Sequence, residues 1–143
     1  MKTLYTAEAL ASGEGRDGNA QTNDGKLNVT LASPVELGGS GEGTNPEQLF
    51  AAGYAACFHS ALRLVGRQQK ADLTDSAVAA KIHLGALDGG AGYGIAAELE
   101  IALPAVDRET AEALVAKAHE VCPYSNATRG NITVDITIME VAA

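Results

Sequence analysis

Two cysteines, Cys57 and Cys122, carry the covalent chemistry open to this chain. A thiol reacts as its thiolate, which a nearby cation or a helix start favours and an apolar surround disfavours. Cys57 lies in the middle of "AAGYAACFHSALRLVGRQQ", a helical stretch. At about 100° per residue it shares a face with Phe50, Gly53, Tyr54, Ala61 and Leu64. Burial there raises the thiol pKa, and mid-helix has no free N–H groups to offset it. His59 is about 160° around the wheel and Arg63 about 120° around. Cys57 is therefore either a small core filler or a nucleophile whose counter-charge arrives from another element.

Arg16, framed by glycines in "GEGRDG", is one candidate cation, and Arg129 in "NATRGN" is its rival. A solvated turn arginine is the plainer reading of Arg16. Cys122 closes a second helical stretch in "EVCPYSN", behind an apolar stripe of Leu114, Val115, Ala118 and Val121. A helix C-terminus disfavours an anion, so Cys122 should hold its proton more firmly than a Cys57 beside an arginine. That asymmetry suits a resolving thiol paired with a primary one. Spacing alone does not say that the two cysteines meet.

The elements that must position these groups are legible in outline. "LYTAEALAS" and the alternating "KLNVTLA" read as two strands joined by a long loop, "GEGRDGNAQTNDG", with Arg16 near its tip. Leu27, Val29 and Leu31 share the inner face of the second strand. Asn45, Pro46 and Gln48 form an N-cap, a first helical position and a capping box, starting a helix over 46–69. "SAVAAKIHLG" and "IAAELEIAL" alternate as an antiparallel hairpin, with Val78, Ala80, Ile82 and Leu84 inward and Glu98 and Glu100 outward. Asp107 caps the second helix and Pro123 ends it. "ITVDITI" is a last strand with Ile132, Val134, Ile136 and Ile138 inward. The order β-β-α-β-β-α-β gives an α+β chain, antiparallel sheets packed on a long central helix, as a single domain over 1–143.

At 143 residues, with 46% apolar and 20% charged residues, the chain can bury a core. A net charge of -8, two Phe and no Trp argue against nucleic-acid and anionic-membrane partners. The N-terminal stretch lacks an apolar run of signal-peptide length, no other segment reads as a membrane span, and a cytoplasmic location is expected.

"NPEQLFAAGYAACF" and "CPYSNATRGN", with "GRDG" and "DGKL" before them, resemble the organic hydroperoxide resistance proteins of the Ohr/OsmC family, over nearly the whole chain. The resemblance implies an OsmC-like intertwined homodimer and a thiol peroxidase that reduces organic hydroperoxides, working without metal, haem or flavin cofactor. It makes Cys57 the peroxidatic thiolate, oxidised to a sulfenic acid, and Cys122 the thiol that condenses with it to an intramolecular disulfide. It makes Arg16 and Glu47 the activating pair, the carboxylate orienting the guanidinium, and dihydrolipoyl groups of a lipoylated partner the reductant.

Glu47 and Cys57 are ten residues apart on one helix, about 15 Å along its axis. Either the helix breaks, or Glu47 serves the site of a second copy. The second option is preferred, with two antiparallel helices crossing near Ala52 over the small residues 51–53. Phe50, Tyr54, Phe58 and Leu64 are placed to line a pocket for an alkyl tail, or else to pack the core. Three rival readings are a member of the superfamily that prefers hydrogen peroxide, a metal module built on His119 and Cys122, and a non-catalytic protein with two buried thiols.

Overall fold

The computed structural model describes residues 1–140, and the chain divides into two units, Met1–Leu49 and Phe50–Ala143. In the first, β1 (Ala9–Ser12), β2 (Asn19–Thr22) and β3 (Asn28–Thr30) form an antiparallel sheet in that order. The expected two-stranded hairpin is thus a three-stranded meander, because part of the long loop is itself a strand. Ala20 pairs with Ala11 on one side and Val29 on the other. Asp24 makes the β2–β3 turn, accepting from the Thr22 hydroxyl at 2.7 Å and the Lys26 N–H at 3.0 Å. Leu31 is buried as expected, whereas Leu27 stays exposed.

Helix α1 runs unbroken over Pro46–Gln69. Asn45 caps it, its side-chain oxygen accepting the Gln48 N–H at 2.9 Å. The Gln48 side chain instead accepts from the Thr44 hydroxyl at 2.7 Å, so the capping box is replaced by a clasp on the preceding residue. The helix ends where Lys70 turns left-handed (φ 55) and the Ala71 N–H reaches back to the Gly66 carbonyl at 2.9 Å, a Schellman-type closure.

In the second unit, Tyr54, Phe58, Ala61, Leu62, Val65 and Gly66 are the buried stripe of α1. Their spacing follows the helical period. By length and composition α1 could also cross a bilayer, which departs from the sequence expectation, but here this stripe forms a core with the sheet and α2. Strands β4 (Ala77–Ala86) and β5 (Tyr93–Ala102) pair antiparallel from Ala77↔Ala102 to Ala86↔Tyr93. They alternate as expected, with Ala97, Leu99 and Ile101 buried and the Lys81–Glu100 and His83–Glu98 pairs outward. Helix α2 (Arg108–Val121) is capped by Asp107, which accepts the Thr110 N–H at 2.8 Å.

Two further features correct the sequence reading. A third helix, α3 (Pro123–Thr128), follows α2 directly: Pro123 ends one helix and opens the next, the first-position role its fixed φ suits. Strand β6 (Val134–Ile138) pairs parallel to β5, so this sheet is mixed. The connection from β5 passes through two helices, the long crossover that parallel neighbours require.

Candidate active site

The two sulfurs meet inside the second unit. Cys57 Sγ and Cys122 Sγ are 3.7 Å apart, and both are free thiols. Cys57 is half-buried at the margin of the core stripe, and Cys122 is fully buried. Cys122 is at once the C-cap of α2 and the N-cap of α3. Its sulfur accepts the Ser125 N–H at 3.5 Å. The expectation that it faces only the carbonyl end of a helix is corrected, since the first turn of α3 gives it an amide donor.

Burial pushes the Cys57 thiol above its ordinary value; the Tyr124 N–H opposes this, and the neighbouring Cys122 adds to the rise. The rival cation, Arg129, is engaged elsewhere in this unit. Its guanidinium donates to the His119 carbonyl at the end of α2 and to Asn126 Oδ1 at 2.8 Å, a placement that complements the helix dipole. His59 hydrogen-bonds Ser76 Oγ at 3.0 Å.

Arg16 and Glu47 form a bidentate ion pair within Met1–Leu49, at 2.8 Å and 2.7 Å. The Arg16 guanidinium holds the Glu47 carboxyl below the usual carboxylate value. Two parallel N–H···O bonds fix the plane of the guanidinium as well as its charge. Arg16 lies in a 3-10 turn, Gly15–Asp17, between β1 and β2. The turn is pinned by Asp17, which accepts the Ser33 N–H at 3.0 Å. Gly18 closes it so tightly that a Cβ there would lie 2.1 Å from the Ser12 carbonyl oxygen.

Of the four residues expected to line an alkyl pocket, Tyr54 and Phe58 are fully buried in the core. Phe50 is half-buried, and Leu64 is 43% exposed. Phe50 and Tyr54 each meet the Tyr124 ring at 5.7 Å between centroids. Tyr124 also covers Gly53: a Cβ on Gly53 would lie 2.8 Å from its hydroxyl oxygen. Gly53 therefore serves packing inside the chain, whatever else the small residues at 51–53 do.

Sequence reasoning missed Tyr124, Ser125 and Thr128, which belong to the unforeseen α3. The signal was present in "CPYSNAT", a capping side chain followed by Pro at the first helical position. His119, weighed as half of a metal site, bonds through Nδ1 to Ser125 Oγ at 2.8 Å. Among the described residues no three His, Cys, Asp or Glu side chains gather at one place.

Two free thiols in contact, on helices packed against a mixed sheet, form the site that the fold builds. The family model described as OsmC-like protein matches residues 39–137. An organic hydroperoxide resistance protein of Xanthomonas axonopodis pv. citri is 52% identical over 139 residues, 96% of each chain. The crystal structure of one from Legionella pneumophila superposes with a TM-score of 0.92 at 50% identity, covering 97% of this chain and all of that one. One from Elizabethkingia anophelis gives 0.93 at 47% identity, covering 99% and 100%. The chain belongs to the OsmC-like family, among its organic hydroperoxide resistance proteins.

The Gly53–Tyr124 contact is testable by stability. In an open helix, Gly→Ala gains about 1 kcal/mol. Gly53→Ala should forgo that gain and lower stability to urea, because the Tyr124 ring must shift. With Tyr124→Ala in the same chain, Gly53→Ala should recover a gain of about 1 kcal/mol. The full gain from Gly53→Ala alone would contradict the packing.

Proposed function

We propose that this protein is a cysteine peroxidase that reduces organic hydroperoxides to alcohols, with Cys57 as the attacking thiolate and Cys122 as the resolving thiol. The 3.7 Å approach of the two sulfurs carries this reading. The names of the relatives, organic hydroperoxide resistance proteins, support the substrate class. In the first step the Cys57 thiolate attacks the distal oxygen of the hydroperoxide. The O–O bond breaks, the alkoxide leaves and takes up a proton as the alcohol, and Cys57 becomes a sulfenic acid. Cys122 then attacks that sulfur. The S–O bond breaks, hydroxide leaves with the Cys122 proton as water, and a disulfide joins the two residues. The sulfurs need close only from 3.7 Å to about 2.05 Å. A dihydrolipoyl group of a lipoylated protein supplies two electrons and two protons to restore both thiols. The reading places this cycle in the cytoplasm, where disulfides are reduced again.

The thiolate needs a counter-charge that its own surroundings do not provide, since burial raises the Cys57 thiol. The Arg16–Glu47 pair is assigned that role. Helix α1 does not break between Glu47 and Cys57, so the two stand about 15 Å apart along one axis. Each pair is therefore assigned to the Cys57 of a second copy, in an isologous dimer with α1 crossing its mate near Ala52. Ala52, Ala56 and Ser60 are exposed at helical spacing, a small-residue face that permits close approach. Phe50 and Leu64 offer apolar surface for the alkyl tail, with Tyr54 and Phe58 as its floor. Each buried methylene contributes about 0.8 kcal/mol, which hydrogen peroxide forgoes.

With dihydrolipoamide as reductant, cumene hydroperoxide should turn over faster than hydrogen peroxide. Cys57→Ser should abolish turnover, and Cys122→Ser should allow one oxidation followed by over-oxidation of Cys57. Loss of a charge-assisted bond in Arg16→Ala should slow the first oxidation about 10–100-fold. Substantial turnover by Cys57→Ser, or a preference for hydrogen peroxide, would overturn the reading. Mixing tests the crossed assignment. Inactive Cys57→Ser and Glu47→Ala chains, unfolded and refolded together, should regain about a quarter of wild-type activity, because half the dimers then hold one intact site. No recovery in proven mixed dimers would place Glu47 in its own chain's site.

A further inference from the structure

Beneath the two sulfurs lies a buried polar cluster that the chemistry above does not use. Tyr54 and Ser125 are fully buried and Thr128 is 4% exposed. The Tyr54 hydroxyl is 3.0 Å from Ser125 Oγ and 3.1 Å from Thr128 Oγ1. His119 Nδ1 is 2.8 Å from Ser125 Oγ. The Thr128 hydroxyl lies 3.2 Å from the Ser125 carbonyl.

The proton count orders this cluster. A carbonyl only accepts, so the Thr128 hydroxyl donates to it, and each hydroxyl has a single proton. Thr128 must then accept from Tyr54. Tyr54, its proton spent, accepts from Ser125. Ser125, its proton spent too, accepts from His119. The chain runs one way, from His119 Nδ1–H through Ser125, Tyr54 and Thr128 to the Ser125 carbonyl.

We propose that His119 is a positioning residue for the resolving step, its Nδ1–H heading this one-way chain and so holding the first turn of α3 against the two sulfurs. The chain ties α1 to α3 through Tyr54, and α2 to α3 through His119. Ser125 is its hub, and the Ser125 backbone N–H is the donor to Cys122 Sγ. The Tyr124 N–H of the same turn favours the Cys57 thiolate. Fixing Ser125 therefore fixes the aim of both amides. Burial first, and then the Arg129 charge, keep His119 below the usual histidine value. The ring is neutral, with Nδ1 protonated and Nε2 bare. Every buried side-chain polar atom among the described residues has a partner, so a missing link strands its neighbour.

The proposal rests on Cys122 being the resolving thiol, and its test separates the two claims. Nitrogen chemical shifts of isotope-labelled histidine in the reduced wild-type protein should show His119 as the Nδ1–H tautomer. A protonated Nε2 with a bare Nδ1 would overturn the chain's direction. Second, each variant is oxidised with one equivalent of cumene hydroperoxide, alkylated, and analysed by mass spectrometry. His119→Leu should lose the Cys57 thiol as the wild type does, yet form the disulfide about tenfold more slowly and accumulate sulfinic Cys57. His119→Asn, whose amide N–H can replace Nδ1–H, should restore disulfide formation. Wild-type resolution in His119→Leu would overturn the proposal. A wild-type protein inert to the peroxide would overturn the peroxidase reading and the resolving role with it, while the tautomer measurement stands independently.

Discussion

Holding two thiols within one bond-making step of each other while each remains free is the constraint that organises Phe50–Ala143. The sulfurs come from different helices and stand 3.7 Å apart. Such closeness demands that α1 and the α2–α3 junction be held firmly against each other. The core does the coarse work: the Tyr54–Val65 stripe of α1 buries with Leu114, Val115 and Ala118 of α2 and with Leu99 and Ile101 of β5. The Tyr54–Ser125–His119 hydrogen bonds do the fine work, because they leave Ser125 no second orientation in a place without solvent.

The same burial that fixes the sulfurs opposes their chemistry. A half-buried thiol is pushed towards its protonated form, and one amide from Tyr124 offsets that only in part. Under the proposed function, activation takes its charge from elsewhere. In the first unit, Arg16 is already oriented by both oxygens of Glu47. A guanidinium held in this way reaches a thiolate with little ordering left to do. In the proposed cycle reactivity and resolution fall to separate devices: an ion pair for the first, and an amide-bearing helix turn for the second.

Much of this was legible in the residues. The bounds of α1 follow from Asn45 and Pro46 at one end and loss of the apolar period at the other, and the structure reproduces them. Alternation placed Val78, Ala80, Ile82 and Leu84 on one face of β4, and Asp107 announced α2. Other features were illegible for physical reasons. Strand β2 is "NAQT", with no β-branched pair and no clear alternation, and it exists because two neighbours pair with it. Helix α3, at six residues, is too short to show a period. The parallel pairing of β6 is set by the route of the crossover, not by its residues. Gly53 reads as a helix weakness until Tyr124 is seen above it. The cysteine pair itself could be suspected from motif resemblance, but its 3.7 Å approach is a tertiary fact.

The central claim is that Arg16 supplies the charge that keeps Cys57 ionised. Ultraviolet titration of the thiolate in a Cys122→Ser chain, with and without Arg16→Ala, tests it most directly. The account predicts that Cys57 ionises below an ordinary thiol when Arg16 is present, and above it when Arg16 is removed. Coincident titration curves would contradict it.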